Sequence, residues 1–216
     1  MDIKALAQKY EPYIIERRRY FHAHPELSFK EWDTTKALVA EFEKMGMEIQ
    51  TFPDYPGLIA TLDTGKPGRT VMLRADIDAL PVKEGTGLEF ASQNEGVMHA
   101  CGHDNHMAML LGAAHILLEK KDELKGKVKF LLQSGEEMAC GAKYYVDHHI
   151  LDGVDAIFGQ HIWGTLDAPY VCVAAGNRMA SCDNFTIRVK GLQSHGSAPQ
   201  DGHDAIVAAS AIVMAL

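Results

Sequence analysis

Basic tracts are scarce in this chain. Lys+Arg 21 against Asp+Glu 29 gives a net charge of −8 over 216 residues, and only Arg17–Arg19 cluster. Such a balance disfavours nucleic-acid partners. Long apolar runs are also missing, although 47% of the residues are hydrophobic. No run reaches membrane-spanning length, and the opening MDIKALAQKYEPY lacks the charged-then-apolar order of a signal peptide. The four cysteines, at 101, 140, 172 and 182, are too few and too scattered for a disulfide framework. A reducing cytosol is the expected compartment. Internal repeats and low-complexity segments are lacking too, so a well-cored domain, alone or with part of another, is the expected organisation.

One stretch organises what is there. Met98–Ala114 reads MHACGHDNHMAMLLGAA. His99, Cys101, His103 and His106 follow in quick succession with Asp104 among them. Met107, Leu110, Leu111, Ala114 and Leu118 then recur at helical spacing. This is a loop delivering metal-competent side chains at the mouth of a helix, expected from Asn105 to about Glu123. The partial positive charge of a helix N-terminus favours the Cys101 thiolate, and thiolate plus imidazole suits zinc and similar divalent metals.

Helices are expected over Ile3–Tyr20 and Glu31–Met45, the latter closed by Gly46. His22 and His24, between them, read as packed or bonded side chains rather than ligands. Short strands follow at Leu58–Leu62, Thr70–Ala75, Lys127–Gln133 and Ala156–Gln160, with a helix over Gly141–Ile150. Strands alternating with helices imply a largely parallel sheet. Three of these strands release a metal- or proton-competent side chain at the carboxyl end: Asp76, the pair Glu136/Glu137, and His161. Sites in open α/β sheets gather on that rim. Adjacent glutamates leaving a strand point in different directions, which suits one for metal binding and the other for taking a proton from water.

From about Asn177 the texture changes. CDNFTIRVKG alternates like a strand, and an Ala-rich helix follows with Asp201 or Asp204 near its start. The expected division is a catalytic metal-binding domain over 1–177 and the beginning of a second domain over 178–216. A strand and a helix with exposed apolar faces favour self-association through Asn184–Leu216.

The segments RADIDALPV, HACGHDNHMAMLLGAA, the EE pair followed by GAK, GQHIWG and MASCDNFTIRVKGLQSHGSAPQDGHDAI resemble the M20 metallopeptidase family. The likeness is to its amidohydrolase branch, the N-acyl-amino-acid, hippurate and auxin-conjugate hydrolases. It implies an α/β, zinc-peptidase-like catalytic domain with a mixed, largely parallel sheet flanked by helices, interrupted by an α+β lid or dimerisation domain. It also implies two divalent metal ions, zinc or manganese first, with cobalt or nickel as other choices. Carried onto this sequence, Cys101, His103, Glu137 and His161 take the metal-ligand positions, with Cys101 as the bridge. Glu136 takes the place of the general base, and Asp76 that of the acid orienting a metal-ligating histidine. His195 takes the place of a lid histidine that reaches a neighbouring subunit's site and steadies the oxyanion. The implied reaction is hydrolysis of an N-acyl amino acid or peptide amide by a cytoplasmic homodimer, without nucleic-acid or membrane partners. Two departures stand out. QSGEE replaces the family's QPAEE, and the family's chains continue past this length to complete the lid and add a further histidine. The second departure raises a competing expectation, a non-catalytic metal-binding fragment lacking its C-terminal half.

Overall fold

The computed structural model describes residues 2–216. They form two units, one running to Val171 and the other from Cys172 to Leu216. This division falls a little before the boundary expected near Asn177.

The first unit opens with helices α1 (Ile3–Ala23) and α2 (Trp32–Lys44). Strands β1 (Glu48–Phe52), β2 (Tyr55–Asp63) and β3 (Thr70–Asp76) follow. Helix α3 (His103–Glu119), β4 (Lys127–Gln133), α4 (Gly141–Asp147) and β5 (Ala156–Gly159) complete it. The sheet order is β1-β2-β4-β3-β5. β3 pairs in parallel with both β4 and β5, whereas β2 is antiparallel to β1 and β4. The sheet is therefore mixed, and the three strands that carry the candidate chemistry share one direction. β1 has no counterpart among the expected strands: three of its five residues are exposed, leaving little alternation to read.

β4 is buried on both faces along most of its length. Phe130 and Leu132 join Leu58, Ala60 and Leu62 in a core completed by Phe42 of α2 and by Met107 and Leu111 of α3. Leu131 points the other way, to Ile59, Met72 and Tyr145. The strand period of two thus assigns neighbouring residues to opposite cores. Among the described residues no helix is long and apolar enough to cross a membrane.

In the second unit, helix α5 (Ala205–Ala215) is capped by Asp204, whose carboxylate accepts from the Ile206 and Val207 backbone N–H groups. The expected strand in CDNFTIRVKG is not part of any sheet; the unit's pairing is a single bridge between Leu192 and His203. Alternation alone does not make a strand when no partner lies alongside it.

Candidate metal centre

Because β3, β4 and β5 run in parallel, their carboxyl ends lie on one rim. Asp76 ends β3, Gln133 ends β4 just before Ser134-Gly135-Glu136-Glu137, and His161 follows β5. The loop Cys101-Gly102 leads into α3 beside them, and α3 begins at His103 rather than Asn105. Cys101 Sγ lies 3.4 Å from His161 Nε2. His103 Nε2 lies 3.8 Å from Glu137 Oε1, 3.8 Å from Glu136 Oε2 and 3.7 Å from Asp76 Oδ2. Six of the seven residues to which the resemblance gives a role therefore meet at one place. The seventh, His195, belongs to the second unit, where its exposed ring pairs through Nδ1 with the Ser197 hydroxyl at 2.8 Å.

The donor set fits divalent metal. His103 is fully buried, and its Nδ1–H donates to the Asp78 carbonyl at 2.8 Å. That leaves Nε2 as the nitrogen facing the carboxylates. Neither His103 Nε2 nor Glu137 Oε1 has a hydrogen-bond partner, although both are buried. Each orphaned atom of this kind costs about 1–3 kcal/mol, and a shared cation satisfies both. Three candidate ligand groups can be drawn here: Cys101/His103/His161, His103/Glu136/Glu137 and Asp76/His103/His106.

The electrostatics favour a cation. Burial pushes the Cys101 thiol up to about 12, helped by Glu137, Glu136 and Asp76. In the metal-free chain the pull of the helix N-terminus towards the thiolate, about 0.3–1 kcal/mol, is therefore outweighed by burial and three carboxylates. Burial also raises Glu137, with Glu136 adding to the shift. A bound divalent ion reverses this logic and deprotonates a coordinating thiol.

One correction concerns Asp76. Its Oδ1 accepts from His106 Nδ1 at 2.5 Å and its Oδ2 from Arg74 Nη1 at 2.7 Å. The residue that orients His103 is Asp78, through its carbonyl, with the unbonded Oδ1 3.3 Å from the same ring nitrogen. Asp78 Oδ2 also accepts from the Glu137 backbone N–H at 3.0 Å. Two other candidates turn inward. Asp104 pairs with Arg18 and with His22 Nδ1 at 2.9 and 2.8 Å. His99 is buried with both ring nitrogens unpaired, and burial lowers it to about 4. His22 and His24 are bonded structural side chains, His24 Nδ1 lying 2.7 Å from the Tyr20 carbonyl.

The turn carrying the two glutamates rests on Glu31, the residue at the start of α2. Its fully buried carboxylate accepts from Ser134 Oγ at 2.8 Å and from the Gly135 N–H at 3.0 Å. Gly135 has φ +70°, and a Cβ there would overlap the Phe29 ring. The QSGEE departure thus supplies a hydroxyl for Glu31 and space for Phe29. Burial, opposed by these hydrogen bonds, pushes Glu31 from 4.5 up to about 7. The folded protein therefore holds this proton after the unfolded chain has released it, and stability falls as pH rises from about 4.5 to about 7. The loss attributable to Glu31 is on the order of 3 kcal/mol at most. Glu31→Gln should flatten this part of the stability–pH curve in denaturant titrations of metal-free protein; an unchanged slope would show that Glu31 does not carry it.

The family model described as peptidase family M20/M25/M40 matches residues 72–214. The chain is 41% identical over 213 residues to an N-acyl-L-amino acid amidohydrolase of Geobacillus stearothermophilus, covering 98% of this chain and 58% of that protein. The crystal structure of a putative aminohydrolase from methicillin-resistant Staphylococcus aureus aligns with TM-score 0.84 and 41% identity, over 99% of this chain and 57% of that one. A dinuclear metal-binding M20 peptidase of Bacillus subtilis aligns with TM-score 0.69 and 44% identity, over 76% of this chain and 45% of that one. The chain spans about half the length of the relatives it matches.

Proposed function

Because the chain belongs to peptidase family M20/M25/M40, we propose that it serves a two-metal amidohydrolase that cleaves the amide bond of N-acyl amino acids. The observation that carries this reading is the buried, unpartnered His103 Nε2 facing the equally unpartnered Glu137 Oε1, with Cys101 and His161 alongside. The amidohydrolase name of the Geobacillus relative supports the substrate class, and the dinuclear Bacillus structure supports the metal count.

Cys101, His103, Glu137 and His161 would hold the ions. A donor set of thiolate, imidazole and carboxylate favours zinc, with manganese as the alternative. Bound there, the ions would supply Lewis-acid polarisation of the amide carbonyl and a lowered pKa for water. Glu136 takes the water's proton and returns it to the leaving amine, which needs a carboxylate free of metal and open to substrate. Its side chain is 40% exposed, against 18% for Glu137. His195 steadies the oxyanion across a homodimer formed through the second unit, whose Ile206, Val207, Val213 and Met214 are exposed. Free thiols at Cys140, Cys172 and Cys182 agree with a cytoplasmic setting.

The test is zinc or manganese reconstitution followed by assay of amine release from N-acetyl and N-benzoyl amino acids, with light scattering on the same sample. Metal-dependent release from a dimer is expected. Stoichiometric metal uptake with no release would favour the non-catalytic binding reading, and a monomer would remove His195 from the mechanism.

A further inference from the structure

His103 and His106 lie one turn apart on α3, their rings stacked with centroids 5.3 Å apart. Both belong to candidate ligand groups, yet their nitrogens are used differently. His103 keeps Nε2 unpartnered. His106 has none to spare. Its Nδ1 faces Asp76 Oδ1 at 2.5 Å, and its Nε2 lies 3.0 Å from the Ile162 backbone nitrogen. A backbone N–H can only donate, so Nε2 accepts and the ring proton sits on Nδ1, pointing at the carboxylate.

We propose that His106 is a positioning residue rather than a metal ligand: it clamps the loop after β5 so that His161 meets Cys101. The inference rests on the reading of Cys101 and His161 as metal ligands.

The clamp is anchored through the sheet. Arg74 holds Asp76 through Nη1 at 2.7 Å and reaches Gln133 Oε1 through Nε at 2.9 Å. The line of contacts thus runs from the end of β4, through β3 and α3, to the Ile162 amide. Ile162 is held a second time through its side chain, which covers Gly102 so closely that a Cβ there would overlap Ile162 Cδ1. Gly102 has φ +86°, a conformation glycine adopts without strain. His161 precedes Ile162 directly. Its ring meets His106 edge-on at a centroid distance of 4.6 Å, and its Nε2 lies 3.4 Å from Cys101 Sγ. β5 is only four residues long and exposed throughout. The strand by itself gives the following loop little support, so the clamp decides where His161 sits.

The experiment compares His106→Ala, His161→Ala, the double variant and His106→Gln in the full chain. Zinc affinity is read by competition titration without substrate, and Ile162 amide exchange is read in metal-free protein. His106→Ala should lower zinc affinity about 10–100-fold, the range for a residue supporting a ligand. It should add little once His161 is gone, because residues acting through one another are non-additive. Ile162 exchange should quicken in His106→Ala. Gln, whose amide oxygen can accept from that N–H, should restore part of both effects. Additive losses in the double variant, or an Ile162 amide equally protected without His106, would overturn the clamp. The exchange measurement needs neither metal nor turnover, so it separates failure of the clamp from failure of the amidohydrolase reading. Long-range ¹H–¹⁵N spectra add a direct check: His106 Nε2 should stay an unligated acceptor when zinc is added, and a ligation shift at that nitrogen would refute the proposal.

Discussion

Glu136→Gln is expected to retain full metal content while lowering turnover of an N-acyl amino acid by about 10²–10⁴-fold, the range for loss of a general base. The expectation follows from the turn that separates the two glutamates. Glu136–Met138 form a single 3-10 turn between residues of positive φ, Gly135 at 70° and Ala139 at 53°. The turn sends Glu137 inward, where its Oε1 is buried without a partner, and leaves Glu136 open to solvent. Removing the Glu136 charge thus deletes a proton acceptor and no inward ligand. Glu137→Gln should instead weaken metal binding, and turnover should recover in part at raised metal concentration. Equal metal loss in both variants, read by elemental analysis after dialysis, would show that the two carboxylates share one role.

The placement of the two glutamates was legible in the sequence because it depends on position alone: two carboxylates just after an apolar strand. The same holds for Asp76, His161 and the CGH loop, which strand direction brings to one rim whatever the details of packing. Legibility failed where two residues satisfy the same pattern. Asp76 and Asp78 are separated by two, so an extended chain points both to the same side. The chain stays tied to β4 past Asp76, the Ile77 N–H donating to the Gln133 carbonyl at 3.0 Å. Which aspartate faces which histidine is then set by the three-residue step from His103 to His106 on α3, a tertiary fact. The local dipole that favours the Cys101 thiolate is legible in the sequence, but the carboxylates that folding brings beside it, and that outweigh it in the metal-free chain, are not. Glu31 was invisible as a support because its partners, Ser134 and Gly135, lie more than a hundred positions away.

Asp78→Ala should be the most damaging single change to metal binding outside the ligands themselves. One buried carboxylate faces three neighbours: Oδ2 accepts from Ser28 Oγ at 2.7 Å and from the Glu137 N–H at 3.0 Å, while Oδ1 makes no hydrogen bond but lies 3.3 Å from His103 Nδ1, whose proton goes to the Asp78 carbonyl. It therefore fixes the backbone of one candidate ligand and places negative charge beside the ring of another. Burial opposes its ionisation, but the His103, Ser28 and Glu137 contacts hold it below the ordinary 3.8. Its stabilising contribution is accordingly present above that value and lost as pH falls through the lowered one. Metal affinity should drop about 10–100-fold on the usual scale for a support residue, and more if the two ligands shift independently. Stability of the metal-free protein should fall as well, by about 1–3 kcal/mol for each buried donor left unpaired. Asp78→Asn keeps the volume but turns an amide N–H₂ toward at least one of these donors, so it should rescue packing and little of the affinity. Ser28→Ala is the control: it removes one of the three contacts, and should cost stability while leaving metal affinity near that of the parent. Zinc titration beside urea unfolding at neutral pH reads both quantities. An Asp78→Ala protein that binds zinc as the parent does would mean that the Asp78 carbonyl alone orients His103, and that the carboxylate serves only the fold.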